Sequence, residues 1–218
     1  AVMVMIFLGG VRLSQFMALL VVCGGSAYLM VVTSPYRMRR MTAFTDPWAD
    51  QFNSGYQLVQ SLIAFGRGEI FGVGLGNSIQ KLFYLPEAHT DFVFAILAEE
   101  WGAFGAIVVI GLFAALIGRI LTVARKAEIV GLRFGAYIAY GIAMLIAGQV
   151  FINIGVNTGL LPTKGLTLPL FSYGGSSLLV CFAMFALVLR IDMERQQLQA
   201  KPAKKKSGDK KSTEAAYD

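Results

Sequence analysis

Glu100–Arg119 reads EWGAFGAIVVIGLFAALIGR, eighteen uncharged residues held between an acid and a base. At about 1.5 Å of rise per residue the stretch is just long enough to cross the roughly 30 Å of a bilayer's hydrocarbon. Similar stretches flank it. No charge falls between Arg12 and Arg37, where Phe16–Val32 is the apolar part, nor between Arg133 and Lys164, where Phe134–Ile154 is. Tyr173–Leu189 makes a last span, and Ala1–Val11 reads as the tail end of another that carries no basic leader or cleavage pattern. The sequence predicts an all-α integral membrane protein, a polytopic helical bundle of about five transmembrane helices near 1–11, 16–34, 92–119, 134–156 and 173–190. Together they form a membrane domain over 1–199, followed by a disordered, Lys-rich cytoplasmic tail at 200–218.

Composition agrees. Of 218 residues 56% are hydrophobic and only 15% charged, against about a quarter charged in a soluble domain. Disorder, a collagen-like fibre and a disulfide scaffold are excluded, and Cys23 and Cys181 sit inside apolar runs as small hydrophobes. The net charge of +6 does not imply nucleic acid, because six Lys against three acids lie from Lys201 onward. A lysine tail after a membrane helix marks the cytoplasmic side.

The remaining charges orient the bundle. Arg119, Arg125, Lys126 and Arg133 face only Glu128 in one connection, and Arg190, Arg195 and the tail follow the last span, so both ends read as cytoplasmic. Tyr36–Thr90 and Asn157–Ser172 then lie on the outer face. The outer loop 36–90 is too long to be a mere connector. Within it Gly55–Phe65 alternates polar and apolar residues at helical spacing, which predicts a short helix lying on the membrane surface. Arg37, Arg39 and Arg40 form a basic group suited to lipid headgroups, while Gly72–Gly76 is glycine-rich without the strand or Lys-Ser/Thr of a phosphate loop.

Chemistry concentrates at this outer boundary. In Leu85–Phe92 (LPEAHTDF) two readings of Asp91 stand side by side. It is an acid in the first turn of a helix capped by Thr90, or a carboxylate near apolar surroundings whose raised pKa suits it to act as a base. Glu99 and Glu100 sit either at the interface or buried, where they line a cavity or pair with a cation, within this sequence or outside it. Gln149, Asn153 and Asn157, spaced i, i+4, i+8, form one polar stripe, either an interhelical seam or the wall of a hydrophilic cleft, with the cleft favoured. Lys164 is the one charge between Arg133 and Arg190; it either snorkels to lipid phosphate or holds a ligand's phosphate. Ser172–Ser177 (SYGGSS) leads into the last helix, whose open N-terminus suits an anion.

At these residues the sequence resembles the SEDS family of cell-wall polymerases, the FtsW and RodA family. The matching stretches are Gly55–Ser61, Ala64–Glu69, Gly74–Ser78, Leu85–Phe92, Ala98–Glu100 and Leu161–Ser177 (LPTKGLTLPLFSYGGSS). The PEAHTDF and GLGNSIQKL wording resembles the division branch more than the elongation branch. The resemblance implies a ten-helix fold of which this chain covers the C-terminal half. It implies a peptidoglycan glycosyltransferase that polymerises lipid II, an undecaprenyl-diphosphate-linked disaccharide peptide, at the outer face of the bacterial inner membrane at the septum. The family's essential Asp carries over to Asp91 and its essential lysine to Lys164. Substrate-binding roles extend to Glu87, His89, Gln149, Ser172 and Ser176 on the chemistry of their side chains. A divalent cation, Mg or Mn, would assist at the diphosphate. The implied partners are a class B penicillin-binding protein acting as transpeptidase, other divisome proteins and membrane lipid, with no nucleic acid. The competing readings are a lipid II flippase, a non-catalytic divisome scaffold and, within the family, an elongation polymerase.

Overall fold

The computed structural model describes residues 2–35, 38, 44–53 and 55–214. The basic group Arg37, Arg39 and Arg40 lies outside them. The chain is helical, in the order α1 (Val2–Leu8), α2 (Leu13–Val32), α3 (Tyr56–Gly68), a π-helical turn Gln80–Tyr84, α4 (Val93–Ile129), α5 (Arg133–Asn157) and α6 (Gly175–Glu214). Among the described residues four helices are long and apolar enough to cross a membrane: α2, α4, α5 and the Gly175–Ala200 part of α6. This is a multi-pass helical membrane bundle. α1, at seven residues, rises only about 10 Å.

α4 and α5 form the heart of the molecule. Ala124, Ala127, Ala136, Ala139, Ala143 and Ile146 are buried along their contact, and small residues let two backbones approach closely. The hairpin turns at Gly131, φ +90°. Its amide donates to the Glu128 carbonyl and that of Leu132 to the Ala127 carbonyl, each at 3.0 Å, the paired bonds that close a helix C-terminus on a left-handed glycine. α4 therefore runs ten residues past Arg119, where the sequence reading ended the span. Ala, Arg, Lys and Glu are good helix formers, and reaching water gives a helix no reason to stop. α6 likewise continues past Arg190, where the sequence reading ended the last span.

α3 forms where the helical spacing places it, with its apolar face covered by protein. Leu58, Val59, Ser61 and Ala64 are fully buried because the apolar face packs against α4 and α5. Gly68 closes the approach: a β-carbon there would lie 1.9 Å from the Ala98 carbonyl oxygen.

α4 is broken once, at Gly102, whose φ of 67° and ψ of −167° are non-helical. Such a break orphans carbonyls on one side and amides on the other. The segment after α3 takes up both sets. Val73 and Gly74 donate to the carbonyls of Glu99 and Glu100 at 3.0 and 3.1 Å, while Ala103 and Phe104 donate to the carbonyls of Glu69 and Ile70 at 2.9 and 3.1 Å. The glycine-rich run is thus a cap for a helix in another part of the chain.

Candidate functional site

The turn before α4 is pinned from below. Leu85, Ala88 and Phe92 are buried with Ala64, Ala95 and Val156, so the residues between them project outward. Glu87 organises the turn: its φ is +57°, and its carbonyl accepts the amides of Thr90, Asp91 and Phe92 at 3.1, 3.1 and 3.3 Å. The Thr90 hydroxyl turns back to Glu87 Oε2 at 2.7 Å. Thr90 is therefore not the cap of α4, which starts at Val93 after Phe92. A non-glycine residue at positive φ is uncommon and strained. Here it places three polar side chains, Glu87, His89 and Asp91, on one short turn. Asp91 is partly buried; that burial, and then the charge of Glu87 beside it, hold its carboxyl above the ordinary value of 3.8.

Beneath this turn the α5 stripe binds backbone. Gln149 Nε2 donates to the Thr167 carbonyl at 2.9 Å. Asn153 Nδ2 donates to the carbonyls of Asp91 at 2.9 Å and Leu166 at 2.6 Å. Asn157 Nδ2 reaches the Asp91 carbonyl at 3.0 Å, its Oδ1 accepts the Ala95 amide at 3.1 Å, and its own carbonyl accepts Ser61 Oγ at 2.7 Å. Between the two sequence readings of the stripe, the geometry supports the seam, since its amide donors are engaged inside the protein. Gln149 holds the loop that follows α5.

That loop brings Lys164–Gly165 against the carboxylate. A β-carbon on Gly165 would sit 3.0 Å from Asp91 Oδ2, so any larger residue there would press on the carboxylate. Lys164 is exposed and, among the described residues, forms no ion pair with Asp91. Ser172 is 3% exposed and its Oγ accepts the Leu168 amide at 2.7 Å; its side chain braces the loop. Ser176 is exposed on the first turn of α6. Next to it, Ser177 Oγ lies 3.0 Å from Thr167 Oγ1. The Tyr173 amide donates to the His89 carbonyl at 2.9 Å, and the exposed His89 lines an open groove of about 630 Å³ with Val93, Phe171, Tyr173 and Leu178. The structure thus gathers Glu87, His89, Asp91 and the Lys164–Gly165 segment, and places Gln149 and Ser172 in hydrogen bonds to the loop that carries Lys164 and Gly165.

Among the described residues no three His, Cys, Asp or Glu side chains converge where a metal ion would sit. An ion such as Mg is usually held by one or two carboxylates together with substrate phosphates, and Glu87 and Asp91 are the neighbouring carboxylates on this turn that would hold one.

Glu99 and Glu100 find their partners within this chain. Glu99, fully buried, accepts from Arg67 Nη1 at 3.0 Å, from Ser78 Oγ, and from the amides of Ile79 and Gln80 at 3.2 and 3.3 Å. Glu100 Oε1 pairs with Lys81 Nζ at 2.7 Å. Arg67 and Lys81 both come from the segment 36–90 that the sequence reading places on the outer face. The missing signal was the break at Gly102, which brings residues 67–81 back to the helix.

The chain is similar along most of its length to curated proteins. It is 64% identical over 194 residues to the "Probable peptidoglycan glycosyltransferase FtsW" of Hahella chejuensis, covering 89% of this chain and 49% of that protein. With the protein so described from Marinobacter nauticus the identity is 59% over 214 residues, covering 98% and 53%. A solved structure described as "Structural coordination of polymerization and crosslinking by a peptidoglycan synthase complex" superposes with a TM-score of 0.65 at 32% identity, covering 88% of this chain and 53% of that one. The chain spans about half the length of the curated relatives it matches. The profile of the FtsW/RodA/SpoVE cell cycle proteins matches residues 1–197, and with that match, those identities and the membrane bundle described above, the chain belongs to the FtsW/RodA/SpoVE family.

Proposed function

We propose that the protein of which this chain forms a part is a peptidoglycan glycosyltransferase that polymerises lipid II at the outer face of the inner membrane during cell division. The observation that carries the reading is the Asp91 carboxyl on a strained turn, held above its ordinary pKa, with the Lys164–Gly165 segment against it. The relatives' descriptions as probable peptidoglycan glycosyltransferases support it.

The reaction is an inverting transfer. The 4-hydroxyl oxygen of the acceptor sugar attacks the anomeric carbon of the donor as the bond from that carbon to the phosphate oxygen breaks. Asp91 takes the hydroxyl proton, and undecaprenyl diphosphate leaves with the electron pair. A base with a raised pKa accepts a proton better than an ordinary carboxylate, and general-base catalysis contributes about 100- to 10,000-fold. Charge develops on the diphosphate, where the Lys164 ammonium and the N-terminus of α6 at Ser176 stabilise it. Glu87 and His89 flank the acceptor side.

The solved relative is described as a complex that coordinates polymerisation with crosslinking, which supports a class B penicillin-binding protein as partner. The test is glycan formation from purified lipid II by the full-length protein with that partner. Asp91→Asn abolishes polymer while lipid II binding persists. Polymer of normal length from Asp91→Asn would remove the base assignment, and no polymer from either protein would bring the flippase and scaffold readings forward.

A further inference from the structure

We propose that Asn153 is a positioning residue for glycosyl transfer: its amide ties the base-bearing turn to the lysine-bearing loop close to both side chains, while the direct bond from the Tyr173 amide to the His89 carbonyl joins them nearer the start of α6. The inference rests on the roles proposed for Asp91 and Lys164.

These two side chains lie in segments 73 residues apart, and no ion pair joins them among the described residues. Their separation is therefore set by what holds the two backbones. Within the α5 ladder, Gln149 bonds the later loop and not the turn, while Asn157 bonds the turn, Ala95 of α4 and Asn153 itself, but not the loop. Asn153 bonds both. One hydrogen of Nδ2 goes to the Asp91 carbonyl and the other to the Leu166 carbonyl, two residues beyond Lys164. An amide nitrogen has two donors, and both are engaged.

The Asp91 carbonyl accepts from Asn153 and Asn157 together, at 2.9 and 3.0 Å, which fills its two acceptor sites. Filling both fixes the peptide plane, and with it the direction in which the Asp91 side chain leaves the backbone. Asn153 is 2% exposed, so water has little access to replace a lost donor. The amide stands on a helix rather than a loop, and rigid elements hold a reacting geometry best.

The consequence is kinetic. A misplacement of about 1 Å at a reacting centre costs on the order of 100-fold in rate without removing any group that binds substrate. Substituting Asn153 should lower turnover while leaving lipid II affinity nearly unchanged. The experiment uses the full-length protein with its transpeptidase partner in lipid nanodiscs. It compares Asn153→Ala, the shape-preserving Asn153→Asp (whose carboxylate has no hydrogen to donate) and Asn157→Ala. Backbone hydrogen exchange over 86–92 and 161–172 is read beside saturating turnover and lipid II affinity.

With either Asn153 variant, exchange should rise in both segments together, turnover should fall by about 10- to 100-fold, and affinity should stay within about threefold. With Asn157→Ala, exchange should rise in the first segment and stay unchanged in the second. The proposal is overturned if exchange is unchanged in either segment of the folded Asn153 variants. It is equally overturned if the loss lies in affinity, or if it vanishes when activity is normalised to folded protein. Polymer formation by Asp91→Asn in the same preparations would remove the base reading instead, and leaves the exchange result to be judged separately.

Discussion

Asp91 and Glu99 are two carboxylates that the fold treats in opposite ways. Glu99 is sealed from solvent and receives a guanidinium, a hydroxyl and two amides. Asp91 receives Glu87 as a neighbour and the edge of Gly165 instead. Burial raises the Asp91 pKa, so the folded state favours its protonated form. Its stabilising contribution is complete below the ordinary value of 3.8 and is lost as pH rises through the folded value. At neutral pH the ionised group therefore weighs against folding. Asp91→Asn should show a higher thermal midpoint than wild type at pH 8, with the difference disappearing in acid; no difference at pH 8 would refute the linkage. The same logic governs rate. Polymerisation should fall on acidification at a higher pH than an ordinary carboxylate would dictate. Glu87→Gln, by removing the neighbouring charge, should move that acid limb to lower pH, as a pH–rate profile would read. Glu99 is sealed but Arg67 is 41% exposed, so removing the guanidinium leaves a buried carboxylate still held by a hydroxyl and two amides. Arg67→Ala should cost about 1–3 kcal/mol by denaturation in detergent, with Arg67→Lys losing less. The wording around Asp91 was legible in the sequence. What Asn153 and Asn157 bind was not, because their acceptors are backbone carbonyls distant in sequence that no residue type advertises.

At the scale of elements, periodicity located the helices, and the glycines decided how they join. An uninterrupted apolar pattern says nothing of a single non-helical residue, so the reading of 92–119 as one span missed the break at Gly102. It also treated Gly72–Gly76 only as a weak phosphate-loop signal. The amphipathic spacing of Gly55–Phe65 showed that one face of α3 is apolar, but spacing does not say whether lipid or protein covers it; α4 and α5 do. The break can be tested where space is absent. A β-carbon at Gly72 would meet the Glu100 carbonyl oxygen at 2.1 Å, and one at Gly102 the Ile70 oxygen at 2.4 Å, both at positive φ. Gly72→Ala and Gly102→Ala should each cost about 3 kcal/mol or more, through backbone strain and loss of the cross-capping bonds. Gly111, mid-helix with nothing within 4 Å of its β-position, is the control. Its change to Ala should be neutral or stabilising by up to about 1 kcal/mol. Equal losses at all three positions would show that the capped break has no special stability.

For the whole molecule the decisive asymmetry is charge. Arg119, Arg125, Lys126 and Arg133 gather at the turn between α4 and α5. The Asp91 turn and Lys164 lie at the opposite end of the same hairpin. α5 has 25 residues and so separates the two ends by about 37 Å, more than the thickness of the hydrocarbon. A hairpin that crosses the bilayer along this length would put its two ends in different compartments, and the positive-inside rule predicts the basic turn on the inner side. A substrate whose sugars are exposed at the outer surface can meet Asp91 only in that orientation. Two exposed positions report on it, Ile129 at 77% and Tyr173 at 79%. Single cysteines placed there in an otherwise cysteine-free full-length protein should react differently with a membrane-impermeant maleimide. Tyr173→Cys should label in intact spheroplasts, and Ile129→Cys only after permeabilisation. The reverse pattern would place the carboxylate on the cytoplasmic side, out of reach of an outward-facing acceptor, and the polymerase reading would fall whatever the chemistry of the turn. Labelling of both in intact cells would mean that the hairpin does not cross the bilayer at all.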